Sequence, residues 1–293
     1  MNIVITGANG LLGTELIHQL LPTDHKIYAL TSNKEALQSK WNEEIQVHSL
    51  SEWEKGIFTF EEIDVVIHCA FARAHKGGEE IANALLFTKK LFDDLKVKRV
   101  PNLINISTQE VYGKKASPWR ESNVVEPNTI YGTAKYFTEL LANDYSHGND
   151  LNSTNIRLAG LLSKDTDARM VNKFVDQTLN GNPIKILDGK LVFSQLDVRD
   201  AAAGILALLT IPGKNWSPVY NLGYTKSYSI QEIAQVVQEV GKTYGKIVEI
   251  FKEESNAELY AELDSSKLYN DTEWTPQYDM SDIAKSIFEF KLK

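Results

Sequence analysis

Two side chains near the middle of the chain can move a proton. Tyr131 and Lys135 stand four residues apart in Tyr131-Gly132-Thr133-Ala134-Lys135, which places them on one face of a helix. A free phenol titrates near about 10 and is a poor base at neutral pH. An ammonium beside it favours the phenolate and draws its pKa toward the working range. Tyr131 can then take a proton from an alcohol as hydride leaves, or return one to a ketone. Upstream, Ile106-Ser107-Thr108-Gln109-Glu110-Val111-Tyr112-Gly113 closes an apolar run with polar groups. Thr108 is the residue expected to hydrogen-bond the reacting oxygen opposite Tyr131. Alone, a Tyr/Lys pair at this spacing is more often a solvated helix face. What precedes it in the chain reverses that balance.

Thr6-Gly7-Ala8-Asn9-Gly10-Leu11-Leu12-Gly13 joins a strand at Asn2–Thr6 to an amphipathic helix. Gly7 lets the chain turn, Gly10 removes the Cβ where a diphosphate approaches, and Gly13 lets helix and strand pack closely. The helix's free amides then bind the phosphate anion. Gly7, Asn9, Gly10, Leu11, Leu12 and Gly13 are accordingly assigned to a dinucleotide. Strand context is what separates this motif from an ordinary glycine turn. A carboxylate for the ribose 2′-hydroxyl is expected roughly 20 residues beyond the turn. The stretch there reads Ala29-Leu30-Thr31-Ser32-Asn33-Lys34 and has none. The cofactor is therefore NADP or NAD, tilted slightly to NADP, because Ser32, Asn33 and Lys34 can hydrogen-bond a 2′-phosphate. Ser32-Asn33-Lys34-Glu35 also reads as a helix capping box. Thr31, Ser32, Asn33, then Cys69, Ala70, Phe71 and Ser107 at later strand ends, complete the expected cofactor contacts with Tyr131 and Lys135.

These groups need a scaffold, and the first half of the chain supplies one. Strands are predicted at Asn2–Thr6, Lys26–Leu30, Ile45–Ser49, Asp64–Cys69, Asn102–Ser107 and Thr154–Leu158. Several are rich in Val and Ile without polar alternation, as in strands buried on both faces. Helical periodicity falls between them at Leu11–Leu21, Lys34–Lys40, Glu79–Lys96 and Tyr131–Asp144. The alternation predicts an α/β fold, a doubly wound parallel Rossmann sheet with a smaller interwoven C-terminal lobe for substrate. Later elements are a helix at Met170–Leu179, strands at Ile184–Leu187 and Leu191–Leu196, and a helix at Asp200–Leu209. A helix also opens at the capping box Ser229–Glu232. The dinucleotide domain is expected over 1–165 with about 196–224, and the substrate lobe over about 166–195 and 225–293.

Composition narrows the partners. The net charge is −8, from 31 Lys and Arg against 39 Asp and Glu, so long-range fields repel nucleic acid and anionic membrane. No apolar run reaches membrane length and no leader peptide is read, so a cytoplasmic protein is expected. The one cysteine, Cys69, fits a reducing compartment and a packed thiol. No metal is expected, since the six histidines show no ligand spacing. A Gly-x-Ser-x-Gly hydrolase elbow is absent as well.

The glycine turn, the Ser-Thr-x-x-Val-Tyr-Gly strand end, Tyr131-x-x-x-Lys135 and Val219-Tyr220-Asn221-Leu222-Gly223 together resemble the NAD-dependent epimerase/dehydratase family, the extended short-chain dehydrogenases. The likeness runs to Trp274-Thr275-Pro276 and a final helix. It implies Thr108, Tyr131 and Lys135 as the catalytic set, a nucleotide-sugar substrate, and a homodimer through the Tyr/Lys helix. Epimerisation or reduction of a sugar-type secondary alcohol or ketone is the expected reaction. Dehydratases of the family carry Asp-Glu after the catalytic Thr, where this chain has Gln109-Glu110; a 4,6-dehydratase using Glu110 is the alternative. The usual arginine before Val198-Arg199-Asp200 is replaced by Phe193. Gln109, Glu110 and Arg199 are therefore the expected substrate contacts. A non-catalytic dinucleotide-binding regulator is the reading from another class.

Overall fold

The computed structural model describes residues 1–41, 44–114, 117–148, 150–166 and 169–293, with the side chains at 188 and 189 left aside. The chain begins with β1 (Asn2–Thr6), α1 (Leu11–Leu20), β2 (Lys26–Thr31), α2 (Lys34–Trp41), β3 (Gln46–Ser49), α3 (Leu50–Glu54) and β4 (Val65–His68). Next come α4 (Gly78–Val97), β5 (Asn102–Thr108), α5 (Ile130–Ser146), β6 (Asn152–Leu158), β7 (Gly160–Leu162) and α6 (Met170–Leu179). β8 (Ile184–Phe193), β9 (Gln195–Asp197), α7 (Val198–Ala207), β10 (Val219–Leu222), β11 (Tyr228–Ser229) and α8 (Ile230–Thr243) follow. The chain ends with β12 (Ile250–Ala261), α9 (Ser266–Thr272) and α10 (Met280–Lys291).

By contact the chain forms two compact units. The first contains Met1–Lys115, Glu121–Leu158 and Ala202–Tyr220, and the second Ala116–Arg120, Ala159–Ala201 and Asn221–Lys293. The boundary falls at Leu158, earlier than the sequence reading of 165, because β7 pairs with β9 in a separate parallel sheet.

The first unit is built on a seven-stranded sheet in the order β10-β6-β5-β4-β1-β2-β3, with β1 to β6 parallel. This is the doubly wound Rossmann arrangement the sequence implies. Ile3, Val4 and Ile5 are all fully buried, which explains the unalternated β1 sequence. On one face Val4, Leu30, Val66 and Leu103 pack against Leu91, Phe92 and Leu95 of α4 and Ala142 and Tyr145 of α5. That packing fixes the helix that carries Tyr131 and Lys135. At the start of α2, Asn33, not Ser32, is the cap: its Oδ1 accepts from the Ala36 amide at 3.1 Å.

In the second unit, α6, α8 and α10 share one apolar core through Phe174, Val175, Ile233, Val237, Ile283 and Ile287. The Ser229–Glu232 capping box forms as expected, and Asp279 with Asp282 makes another for α10. β8 is one strand over Ile184–Phe193, not two. It lies between β11 and a long β12 that pairs with it in parallel through a register shift between Glu254 and Glu258. Among the described residues no helix is long and apolar enough to cross a membrane, and no group of three or more His, Cys, Asp or Glu could hold a metal.

Candidate active site

β1 and β4 are sheet neighbours whose connections leave in opposite directions, which makes the switch point where ligands of such sheets bind. The glycine turn follows β1 at this switch point, and Cys69-Ala70-Phe71 follows β4 beside it. Gly7 has φ +67°, and a Cβ there would lie 2.7 Å from the Ala70 backbone nitrogen. Thr6 Oγ1 accepts from the Ala70 amide at 3.2 Å and contacts His68 Nδ1 at 2.8 Å. His68 Nε2 reaches Thr88 Oγ1 at 3.0 Å, and the Thr88 hydroxyl donates to the Ala84 carbonyl. This chain assigns the ring proton to Nε2. Burial agrees, holding His68 neutral with its pKa lowered to about 3.

The turn suits a diphosphate. Gly10 is the N-cap of α1, with no side-chain cap and no acidic residue in the first turn, so no Gly10 side chain competes for the Leu11 and Leu12 amides. Asn9 Nδ2 donates to Thr31 Oγ1 and to the Asn33 carbonyl, both at 3.0 Å, tying the turn to the end of β2. A Cβ on Gly13 would stand 2.4 Å from the Gly7 carbonyl oxygen and 2.8 Å from Ala8 Cα. Those are backbone atoms, and shifting them deforms the phosphate cradle. Gly13→Ala is expected to weaken dinucleotide binding by roughly 10- to 100-fold, the equivalent of 1–3 kcal/mol of overpacking. Titration of the variant with NADH checks this, and unchanged affinity refutes the close-packing role.

Tyr131 and Lys135 pack against the residue that follows Ala70. Phe71 follows β4, and its ring centroid lies 6.1 Å from that of Tyr131 and 4.4 Å from Lys135 Nζ. Lys135 is buried and donates to the Ile106 carbonyl in β5. Burial lowers its ammonium to about 8, against opposing contributions from Cys69 and Glu139. Cys69 is half-buried, and desolvation pushes its thiol up to about 12, so it acts as packing beside the lysine. Thr108, at the end of β5, accepts from the Glu110 amide at 3.3 Å and caps the 3-10 turn Gln109–Tyr112. Thr129 caps α5 by accepting from the Gly132 amide at 2.9 Å, and its hydroxyl donates to Glu110 Oε2 at 3.0 Å. Tyr131 lies in the first helical turn after this cap.

A buried polar network sets α5 against the sheet. Ser107, expected at the cofactor, donates to Glu139 Oε1 at 2.6 Å. Arg157 clamps the same carboxylate through Nε at 3.0 Å and Nη2 at 2.7 Å, and donates from Nη1 to the Tyr112 hydroxyl at 2.9 Å. Burial opposes the Arg157 charge, but its bonds to Glu139 and Tyr112 outweigh that and raise its pKa. Asn105 links Thr138 at 3.1 Å to Asn155 at 2.8 Å one layer away. Glu139 is absent from the sequence expectations; its signal was an acidic residue one helical turn beyond Lys135. Gln109 is half-buried, and its Oε1 lies buried without a hydrogen-bond partner. Arg199 belongs to the second unit, where Asp197 holds it at 2.8 Å through both Nε and Nη2, and it stacks 3.5 Å over the Tyr278 ring.

A model of the NAD dependent epimerase/dehydratase family matches residues 3–223, which span the glycine turn and α5. The chain belongs to this family. Its relatives include a dTDP-glucose 4,6-dehydratase of Streptomyces griseus, 25% identical over 96% of this chain and 91% of that protein. A UDP-glucose 4-epimerase of Oryza sativa subsp. japonica is 23% identical over 99% and 90% of the two chains. Among solved structures, the UDP-glucuronic acid 4-epimerase of Bacillus cereus, in complex with UDP-glucuronic acid and NAD, superimposes with a TM-score of 0.82. It is 22% identical, with both chains covered completely. These family members include epimerases and dehydratases alike, and at such identity the structural likeness speaks for the fold.

Proposed function

We propose that this chain is an NAD-dependent epimerase or reductase acting on a nucleotide sugar, with Tyr131 as the acid/base. One observation carries the reading. The glycine turn packs closely on Ala70, and the next residue, Phe71, packs against both the Tyr131 ring and the Lys135 ammonium. When bound, the dinucleotide supplies acceptance and return of a hydride. Gly7, Gly10, Leu11, Leu12 and Gly13 would hold its diphosphate, with Cys69, Ala70 and Phe71 lining the neighbouring strand end. Lys135 keeps a positive charge near the phenol, and Tyr131 passes a proton to or from the sugar oxygen. Thr108 stands at the end of β5 to orient that oxygen.

Among the donors that tilted the sequence reading to NADP, the one cation is engaged: Lys34 is ion-paired with Glu52 at 2.6 Å. This supports NAD. A homodimer through α5 is part of the same proposal, supported by Phe137 and Leu140, which are 48% and 45% exposed on that helix. Dehydration is a second reading, favoured by the fixed Glu110 carboxylate at the cap of α5. Gln109 weakens it, because an amide cannot donate a proton as a carboxylic acid does.

The deciding experiment incubates the protein with UDP-glucose, UDP-glucuronic acid and dTDP-glucose, with NAD, NADH or NADPH, and resolves products by chromatography. Conversion without net cofactor change gives an epimerase, and stoichiometric reduction of added NAD, as a sugar hydroxyl is oxidised to a ketone, gives the reductase run in reverse. Loss of water gives the dehydratase. Failure to bind any dinucleotide overturns the proposal.

A further inference from the structure

A second charged arrangement lies at the carboxyl ends of β2 and β3. The register pairs Thr31 with Ser49, so the two strand ends lie side by side. Lys34 opens α2, and its Nζ stands 2.6 Å from Glu52 Oε1 of α3. Glu52 is held independently of the lysine. Its Oε2 accepts from the Ser49 amide at 2.7 Å, and its own amide donates to Ser49 Oγ at 3.1 Å, closing a capping box. The Lys34 hydrogen bond first, then the Ser49 amide, lower its pKa to about 2, so it stays ionised at any working pH.

This corner borders the dinucleotide cradle, because Asn9 of the glycine turn bonds both Thr31 and the Asn33 carbonyl. Within Thr31–Lys34 the only charged side chain is Lys34. His48 on β3 stacks on Phe58 with ring centroids 4.2 Å apart, and burial lowers its pKa, so it adds no cation at neutral pH. Lys40 at the far end of α2 is exposed and donates to Thr14 Oγ1 at 3.2 Å.

We propose that Glu52 is a specificity determinant that biases the cofactor site toward NAD(H), by holding Lys34 in an ion pair and placing a carboxylate where a 2′-phosphate needs a cation. The inference rests on the dinucleotide reading of the glycine turn. A phosphate arriving at Lys34 must displace the carboxylate or stand beside it, and like charges at that range repel. A ribose diol brings no charge and meets no such opposition. The family feature that normally does this, an acid at the end of β2, is missing here; Glu52 supplies the charge from the next connection.

The test is titration of NADH and NADPH by fluorescence into wild-type protein, Glu52→Gln, Lys34→Met and the double variant. Gln keeps the capping box, and a melting curve reports any loss of fold. Wild-type protein should prefer NADH. Glu52→Gln should raise the NADPH-to-NADH affinity ratio on the order of tenfold, the worth of one charge-assisted hydrogen bond. The double variant should lose that gain, since Lys40 remains in every protein and only Lys34 differs. An unchanged ratio in Glu52→Gln, a gain that survives without Lys34, or a wild-type preference for NADPH overturns the inference while leaving dinucleotide binding intact. Wild-type protein that binds neither cofactor overturns both.

Discussion

Replacing Tyr131 with phenylalanine is expected to lower turnover of the nucleotide sugar by roughly 100- to 10,000-fold, the span a positioned acid/base contributes. The ring that packs beside Phe71 is kept, and only the hydroxyl is lost. Dinucleotide affinity should therefore change by no more than about tenfold, since at most one hydrogen bond is removed. Product analysis and NADH titration on the same preparation separate the two effects. The dependence on pH has a definite sign. Burial lowers the Lys135 ammonium to about 8, so the charge that favours the phenolate is present below that pH and lost above it. For wild-type protein, kcat/KM, which reports groups of the free enzyme, should fall above about pH 8. A Tyr131→Phe protein as active as wild type would remove the acid/base assignment from Tyr131.

The parts of this site legible in the sequence are those set by local spacing. The glycine turn reads because strand, turn and helix are contiguous, and Tyr131 with Lys135 reads because both lie on one helix face. β1 and β4 read because burial on both faces leaves unbroken Val/Ile runs such as Val65–His68. What stayed hidden depends on tertiary pairing. Glu139 and Arg157 sit 18 residues apart on a helix and a strand, and no local pattern marks them as one ion pair. Ser107 and Thr108 are adjacent hydroxyls, and strand alternation sends the first to Glu139 and leaves the second at the strand end. β12 could not be read at all: Lys252, Glu253, Glu254 and Glu258 are exposed, and the strand forms only because β8 supplies its partner. The Asp188-Gly189 step looks like a turn, yet pairing with β12 carries β8 through it.

Glu139→Leu is expected to destabilise the protein by about 3–5 kcal/mol, the cost of breaking a buried ion pair from one side. The side chains of Arg157 and Glu139 are only 4% and 2% exposed, so water cannot replace the lost partner. The double variant Glu139→Leu with Arg157→Met should recover most of this, because removing both charges together removes the desolvation cost. It leaves the Ser107 and Tyr112 hydroxyls without these partners, at about 1 kcal/mol each, so recovery stays incomplete. Melting temperatures of the two singles and the double measure the coupling directly. The double variant also separates stability from function. Glu139 ties Ser107, beside Thr108, to the helix turn after Lys135, and Arg157 ties Tyr112 to the same carboxylate. A protein with stability restored and α5 released from this clamp should bind NADH normally but turn over more slowly, since Thr108 and Tyr131 no longer hold a common register. Full turnover in the double variant would reduce the pair to a packing element with no part in positioning the proton donor.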